Sequence, residues 1–153
     1  MKPEKMKVNS ILIIDDDIDD YELVAEAVRD IDPGITVSYF NSCEQARDAD
    51  GNLFDLVFLD INMPKHDGFS WLKGIRERGH KKLPVVMYTN SMSPAHISRA
   101  YTEGANLYFS KPETYPGLLN GLRQIIGMDW SDPSSITRQY NSQGKFSTFQ
   151  PSC

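Results

Sequence analysis

The chain has 153 residues, enough for one domain whose core needs no disulfide or metal staple. Its 16 Lys+Arg against 21 Asp+Glu give a net charge of −5 without a basic tail or stripe, which excludes a protein that coats nucleic acid or an anionic membrane. The longest purely apolar run, Ile11 to Ile14, is too short to span a bilayer, and Met1 to Ser10 is too polar and basic for a signal-peptide core. A cytoplasmic protein is expected. Cys43 and Cys153 then read as incidental thiols in a reducing compartment.

In chain order, the first predicted element is the strand Ile11-Leu12-Ile13-Ile14. A helix follows, because Tyr21, Val24, Ala27, Val28 and Ile31 recur at spacings of three and four, with Asp19 or Asp20 as its cap. Thr36 to Phe40 is rich in β-branched and aromatic residues and predicts a second strand, with a short helix over Ser42 to Ala49. Leu56-Val57-Phe58-Leu59 is the third strand, and Phe69, Leu72 and Ile75 mark the helix after it; Trp71 there reads as core. Val85-Val86-Met87-Tyr88 is followed by a helix through Ile97, Ala100, Tyr101 and Gly104. Leu107-Tyr108-Phe109 is followed by the clearest stripe, Leu118, Leu119, Leu122, Ile125 and Ile126, beginning at Pro116 and stopping at Gly127. The strand runs are apolar throughout rather than alternating, as in parallel strands covered on both faces. Five β-α units predict an α/β fold, a doubly wound five-stranded parallel sheet with helices on both faces. After Gly127 the composition turns to Ser, Thr, Gln and Asn with scattered Trp130, Tyr140, Phe146 and Phe149. That reads as a tail that packs on the domain or on a partner, too short for a DNA-binding output domain.

Ligands of such sheets bind beyond the carboxyl ends of the strands. Asp15-Asp16-Asp17, Asp60, Thr89-Asn90 and Ser110-Lys111 all fall there. Asp19 and Asp20 suit the positive end of a helix dipole, but Asp15 and Asp16 would crowd Asp60. Crowded carboxylates repel unless a cation sits among them, and Mg²⁺ asks for only one or two of them plus water. A solvated acidic edge is the alternative. Asp60, ending a buried strand, has the chemistry of a nucleophile toward phosphorus. Lys111 can neutralise a phosphoryl oxygen, and the Thr89 hydroxyl can donate to another. In the loop after Asp60, Pro64 ends strand pairing and Gly68 would allow a positive-φ turn. His66, His80 and His96 share no metal spacing and read as surface groups.

Together these strings resemble the receiver domain of two-component response regulators. ILIIDDD is similar to the first strand and acidic pair, LVFLDINMPKHDG to the phosphoacceptor strand and loop, VVMYTNS to the hydroxyl-bearing strand, and YFSKP to the lysine strand. The resemblance runs from about Ser10 to Gly127 and implies a flavodoxin-like receiver over residues 8–127, with a tail over 128–153 and no separate output domain. It implies a stand-alone signalling phosphoprotein rather than an enzyme. Asp60 would take a phosphoryl group, as an aspartyl phosphate, from a histidine kinase or phosphotransfer protein. Asp16, Asp60 and the Asn62 carbonyl would hold Mg²⁺ directly and Asp15 through water, while Thr89 and Lys111 contact the phosphoryl oxygens. The Lys111-Pro112 bond would be cis. Thr89 and Tyr108 would form the switch, remodelling a face that includes Ile97, Tyr101 and Leu118. That face would serve an output protein, whose identity the resemblance leaves unknown; it admits a homodimer and involves neither nucleic acid nor membrane. Asn90 replaces the family's usual small residue and is expected to slow phosphorylation or hydrolysis by narrowing access to Asp60.

Two enzyme or carrier folds of the same layering do not fit. A haloacid-dehalogenase-type phosphatase needs an acid two residues after its Asp nucleophile, where Asn62 stands. A flavodoxin needs a phosphate cradle where Asp15 to Asp20 would repel phosphate. A pseudo-receiver that never phosphorylates Asp60 and acts as a protein-interaction module stays open, since fold alone does not fix function.

Overall fold

The apolar runs pair along their length. In the computed structural model, which describes residues 6–62 and 68–152, they form strands β1 (Ser10–Ile14), β3 (Leu56–Leu59), β4 (Val85–Thr89) and β5 (Leu107–Ser110). With β2 (Thr36–Phe40) they make one parallel sheet in the order β2-β1-β3-β4-β5. Parallel neighbours need crossovers, and these are α1 (Ile18–Ile31), α2 (Gly68–Glu77) and α3 (Pro94–Thr102), with α4 (Tyr115–Ile126) closing the sheet after β5. Among the described residues, no helix is long and apolar enough to cross a membrane.

Successive strand residues point to opposite faces, which sorts the core into two layers. Ile11, Ile13, Phe58, Val86, Tyr88, Leu107 and Phe109 pack with Val24 and Val28 of α1 and Leu118, Leu122 and Ile125 of α4. Leu12, Ile14, Val57, Leu59, Met87 and Tyr108 pack with Phe69, Trp71, Leu72 and Ile75 of α2 and Ala100 and Tyr101 of α3. Burial of each large side chain contributes about 1.5–3 kcal/mol, so the strand ends are held from both sides.

Several local expectations change. The α1 cap is Asp17, whose side chain accepts from Asp19 N–H, so the helix begins two residues earlier than a cap at Asp19 would allow. Ser42 to Ala49 forms turns, not a helix. Its start is capped as a helix would be, Ser42 Oγ accepting from Gln45 N–H at 3.1 Å and Gln45 Oε1 from Asn41 N–H at 3.0 Å. After Ala46 N–H to Ser42 O, however, the backbone bonds close over three residues, Arg47 N–H to Glu44 O and Ala49 N–H to Ala46 O, so no α-helix propagates. Gly68 does not adopt positive φ; it is required because a Cβ there would come within 2.5 Å of the Asp60 carbonyl oxygen. The Lys111-Pro112 bond is trans rather than cis, since the trans form is favoured by about 0.5–1 kcal/mol before any tertiary contact intervenes.

The segment after Gly127 folds onto the sheet. It forms α5 (Pro133–Gln139) and a small hairpin of β6 (Asn141–Ser142) and β7 (Lys145–Phe146), turned at Gln143 and Gly144, both of positive φ as a two-residue hairpin loop demands. Trp130, Ile136 and Phe149 are buried in the α1–α4 layer, and Trp130 Nε1 donates to the Ile125 carbonyl at 2.9 Å.

Candidate functional site

The strand order reverses between β1 and β3, and the carboxyl ends there form the crevice in which such folds bind ligands. Ladder bonds continue one residue past the strands: Asp15 N–H donates to Phe40 O at 3.2 Å and Asp60 N–H to Ile14 O at 3.0 Å. Thr89 closes β4, and Lys111 N–H donates to its carbonyl at 2.9 Å just past β5. Four strands therefore deliver Asp15, Asp60, Thr89 and Lys111 to one rim. Asp15, Asp60 and Thr89 are buried, while Asp16 is exposed at the mouth.

Lys111 organises the rim. Its Nζ lies 2.8 Å from Asp15 Oδ2, 2.7 Å from Asp20 Oδ2 and 3.2 Å from Asp60 Oδ2. The contact with Asp15 is an ion pair without hydrogen-bond geometry, so Asp15 Oδ2 keeps no hydrogen-bond partner. Asp15 Oδ1 accepts from Asp17 N–H at 2.9 Å. Burial lifts the Asp15 carboxyl from its ordinary 3.8 to about 6, against the lowering influence of Lys111 and the Asp17 amide. Burial also works against the Lys111 charge, but its close contacts with Asp15, Asp20 and Asp60 more than offset that and raise its pKa. The ammonium is thus fixed as a cation. Asp20 was legible in the sequence only as a helix-dipole residue; its place on the first turn of α1 brings it to the lysine, a signal that a rim lysine facing a helix start could have supplied.

Asp60 has both oxygens engaged, Oδ2 by Lys111 and Oδ1 by the Asn62 N–H at 3.0 Å. Asn62 also reaches across to β4, its Nδ2 donating to Thr89 Oγ1 at 3.1 Å. Ser91 N–H approaches the same Thr89 oxygen at 3.4 Å, and Ser91 Oγ lies 2.7 Å from His96 Nδ1. Tyr108 is fully buried on the α2–α3 side, and its hydroxyl donates to the Ser91 carbonyl at 2.7 Å. Asn90 is exposed beside this chain of bonds. Pro64 and His66 lie outside the described residues.

A divalent ion suits this donor set. Asp15, Asp16 and Asp60 each offer an oxygen within 4.8 Å of the others, the all-oxygen chemistry Mg²⁺ prefers, and Asp15 Oδ2 is a buried acceptor lacking a hydrogen bond. The Asn62 backbone is tied beside Asp60.

A doubly wound parallel sheet with a lysine-bridged acidic crevice at its switch point defines a receiver-type signalling module. The model of the response regulator receiver domain matches residues 11–123, and the chain belongs to this family of two-component signalling domains. The transcriptional regulatory protein CpxR of Escherichia coli K12 is 32% identical over 126 residues, covering 82% of this chain and 53% of CpxR. The transcriptional regulatory protein ZraR of the same organism is 29% identical over 145 residues, 92% of this chain and 32% of ZraR. The chain thus spans about half the length, or less, of these curated relatives. Among solved structures, the phosphorylated cyanobacterial phytochrome response regulator RcpA superposes with a TM-score of 0.71 at 25% identity, covering 80% of this chain and 94% of that one.

Proposed function

We propose that this chain is a phosphorylatable receiver in a two-component phosphorelay, with residues 8–127 as the receiver and the segment after Gly127 as an accessory packed on it. The observation that carries the reading is the bridge from Lys111 to Asp60, with Thr89 tied to the Asp60 loop through Asn62. In the proposed transfer, an Asp60 carboxylate oxygen attacks the phosphorus of a phosphohistidine on a histidine kinase or phosphotransfer protein. The oxygen–phosphorus bond forms as the nitrogen–phosphorus bond breaks, and the imidazole leaves with its electron pair. Asp16, Asp60 and the Asn62 carbonyl would hold Mg²⁺ directly, with Asp15 acting through water. The ion would supply charge neutralisation for the transferring oxygens. Lys111, already a fixed cation, is positioned to pass from the carboxylates to a phosphoryl oxygen, and the Thr89 hydroxyl to donate to another. The chain would act as a signalling switch rather than an enzyme on other substrates, in the cytoplasm, with Thr89 and Tyr108 relaying the change to an output protein.

The test is intact mass after incubation with Mg²⁺ and acetyl phosphate. Wild-type protein is expected to gain one phosphoryl group, and neither Asp60→Asn nor the EDTA-treated protein should gain it. Should the wild type gain nothing and also fail to bind beryllofluoride with Mg²⁺, the module is a phosphorylation-independent interaction domain instead.

A further inference from the structure

Strand β5 lies at one edge of the sheet, and an edge presents unpaired backbone groups unless something covers them. Here the same chain returns to cover it. Phe149 N–H donates to the Tyr108 carbonyl at 2.8 Å, and the Tyr101 hydroxyl donates to the Ser147 carbonyl at 2.8 Å. The Phe146 ring stacks on Tyr101 with centroids 4.9 Å apart and planes 13° from parallel. Phe149 is only 5% exposed and meets Phe109 edge-on at 5.6 Å. Two bonds to the segment's backbone, one with the Tyr108 main chain and one from the Tyr101 hydroxyl, alternate with two aromatic seats, much as a sheet edge reads an extended peptide by its main chain while pockets select its side chains.

Tyr108 belongs to both this groove and the acidic rim. Its carbonyl takes Phe149 N–H, its own N–H donates to Tyr101 Oη at 3.0 Å, and its hydroxyl holds the Ser91 carbonyl. The Ser91 amide in turn faces Thr89 Oγ1. We propose that the β5 edge, with Tyr101 and Phe109, is a docking groove for an extended segment carrying two aromatics three residues apart, that residues 145–152 are its resident occupant, and that its occupancy is coupled to the acidic rim through Tyr108 and Ser91. A protein that uses this face must present a similar segment and displace the resident one. Coupling to the rim rests on the proposed role of Thr89; the groove and its occupant do not. An anion on Asp60 that fixes Thr89 also steadies the Ser91 carbonyl and the Tyr108 anchor, so it tightens the segment; by reciprocity the seated segment favours that anion.

The experiment is hydrogen exchange on the full chain, in which protection of β1 and β3 reports folding in each sample. Tyr108→Phe, which removes only the bond to Ser91, is expected to speed exchange over residues 145–152 severalfold; unchanged exchange overturns the coupling. Adding Mg²⁺ and beryllofluoride to the wild type is expected to slow it severalfold, with fluorine NMR reporting whether the anion is bound. Bound anion with unchanged or faster exchange overturns the coupling and leaves the Asp60 reading intact, whereas absence of bound anion overturns the Asp60 reading. A labelled peptide of the sequence of residues 145–152 tests the groove without reference to the rim. Phe149→Ala should bind it about tenfold more tightly than the wild type, because the resident no longer competes. Equal affinity, or none in either protein, removes the groove. If Phe149→Ala loses protection in β1 and β3, Phe146→Ala, which alters a half-buried ring, takes its place in the same comparison.

Discussion

At the carboxyl ends of the strands, the molecule crowds three acids, Asp15, Asp20 and Asp60, around the single ammonium of Lys111; along the β5 edge, it lays the aromatic rings Phe146 and Phe149 on an aromatic surface. The rim is held by charges whose removal from water costs free energy, so its stability depends on pH, on Lys111 and on any competing cation. The edge is held by apolar burial, one backbone bond and one bond from the Tyr101 hydroxyl, which respond weakly to all three. The interactions at the rim are ones that another charge can replace; those along the β5 edge are not.

The largest effect that separates the two regions should come from Lys111→Met. Stranding Asp15 and Asp60 without their cation is expected to cost about 3–5 kcal/mol in urea unfolding without metal, with Mg²⁺ restoring part of it. A loss indifferent to Mg²⁺ would mean that the carboxylates do not share a cation site. Phe149→Ala is expected to cost about 3 kcal/mol, equally at low and high salt, as removal of a buried ring should; strong salt dependence would blur the contrast.

The pH response of the metal-free protein sharpens it further. Asp15 titrates near 6 in the folded chain and near its ordinary 3.8 when unfolded, so between those values the folded state binds more protons. Stability contributed by this group is therefore greatest below about pH 4 and falls as pH rises to about 6, opposite in sign to a salt-bridged acid of lowered pKa. Comparing Asp15→Asn with the wild type over that window, by urea unfolding in EDTA, should isolate a falling contribution; a rising one would show that Lys111 outweighs burial. The smallest effect is expected from Asp20→Asn. It removes one competitor for Lys111, so uptake of phosphoryl from acetyl phosphate should quicken by a fewfold, about 1 kcal/mol or less in barrier. A slower rate would make Asp20 an aid to Lys111 rather than a rival.

The sheet was legible because each buried parallel strand must be apolar on both faces, so Ile11–Ile14 and Leu56–Leu59 announced themselves without reference to anything distant. The rim was legible for the same reason: Asp15, Asp60, Thr89 and Lys111 directly end or follow such runs, and strand pairing brings those ends together. Ser42 to Ala49 was misread because Ser42 and Gln45 do cap a helix start, while the backbone bonds beyond it close over three residues rather than four, a choice that composition does not decide. Asp20 was read as a dipole residue because nothing within its own helix reveals a lysine 91 residues away in sequence.

The sequence alone determined the layered α/β architecture, the order of its strands along the chain, and which residues would stand at their carboxyl ends. These follow from periodicity and local chemistry. Only the tertiary structure decided that Lys111 reaches Asp15, Asp20 and Asp60 together, that Gly68 is needed for clearance at the Asp60 carbonyl, and that Phe146 and Phe149 close the β5 edge over Tyr101 and Phe109. Such contacts depend on side chains far apart in sequence meeting across packed layers, where distance and burial set their strength.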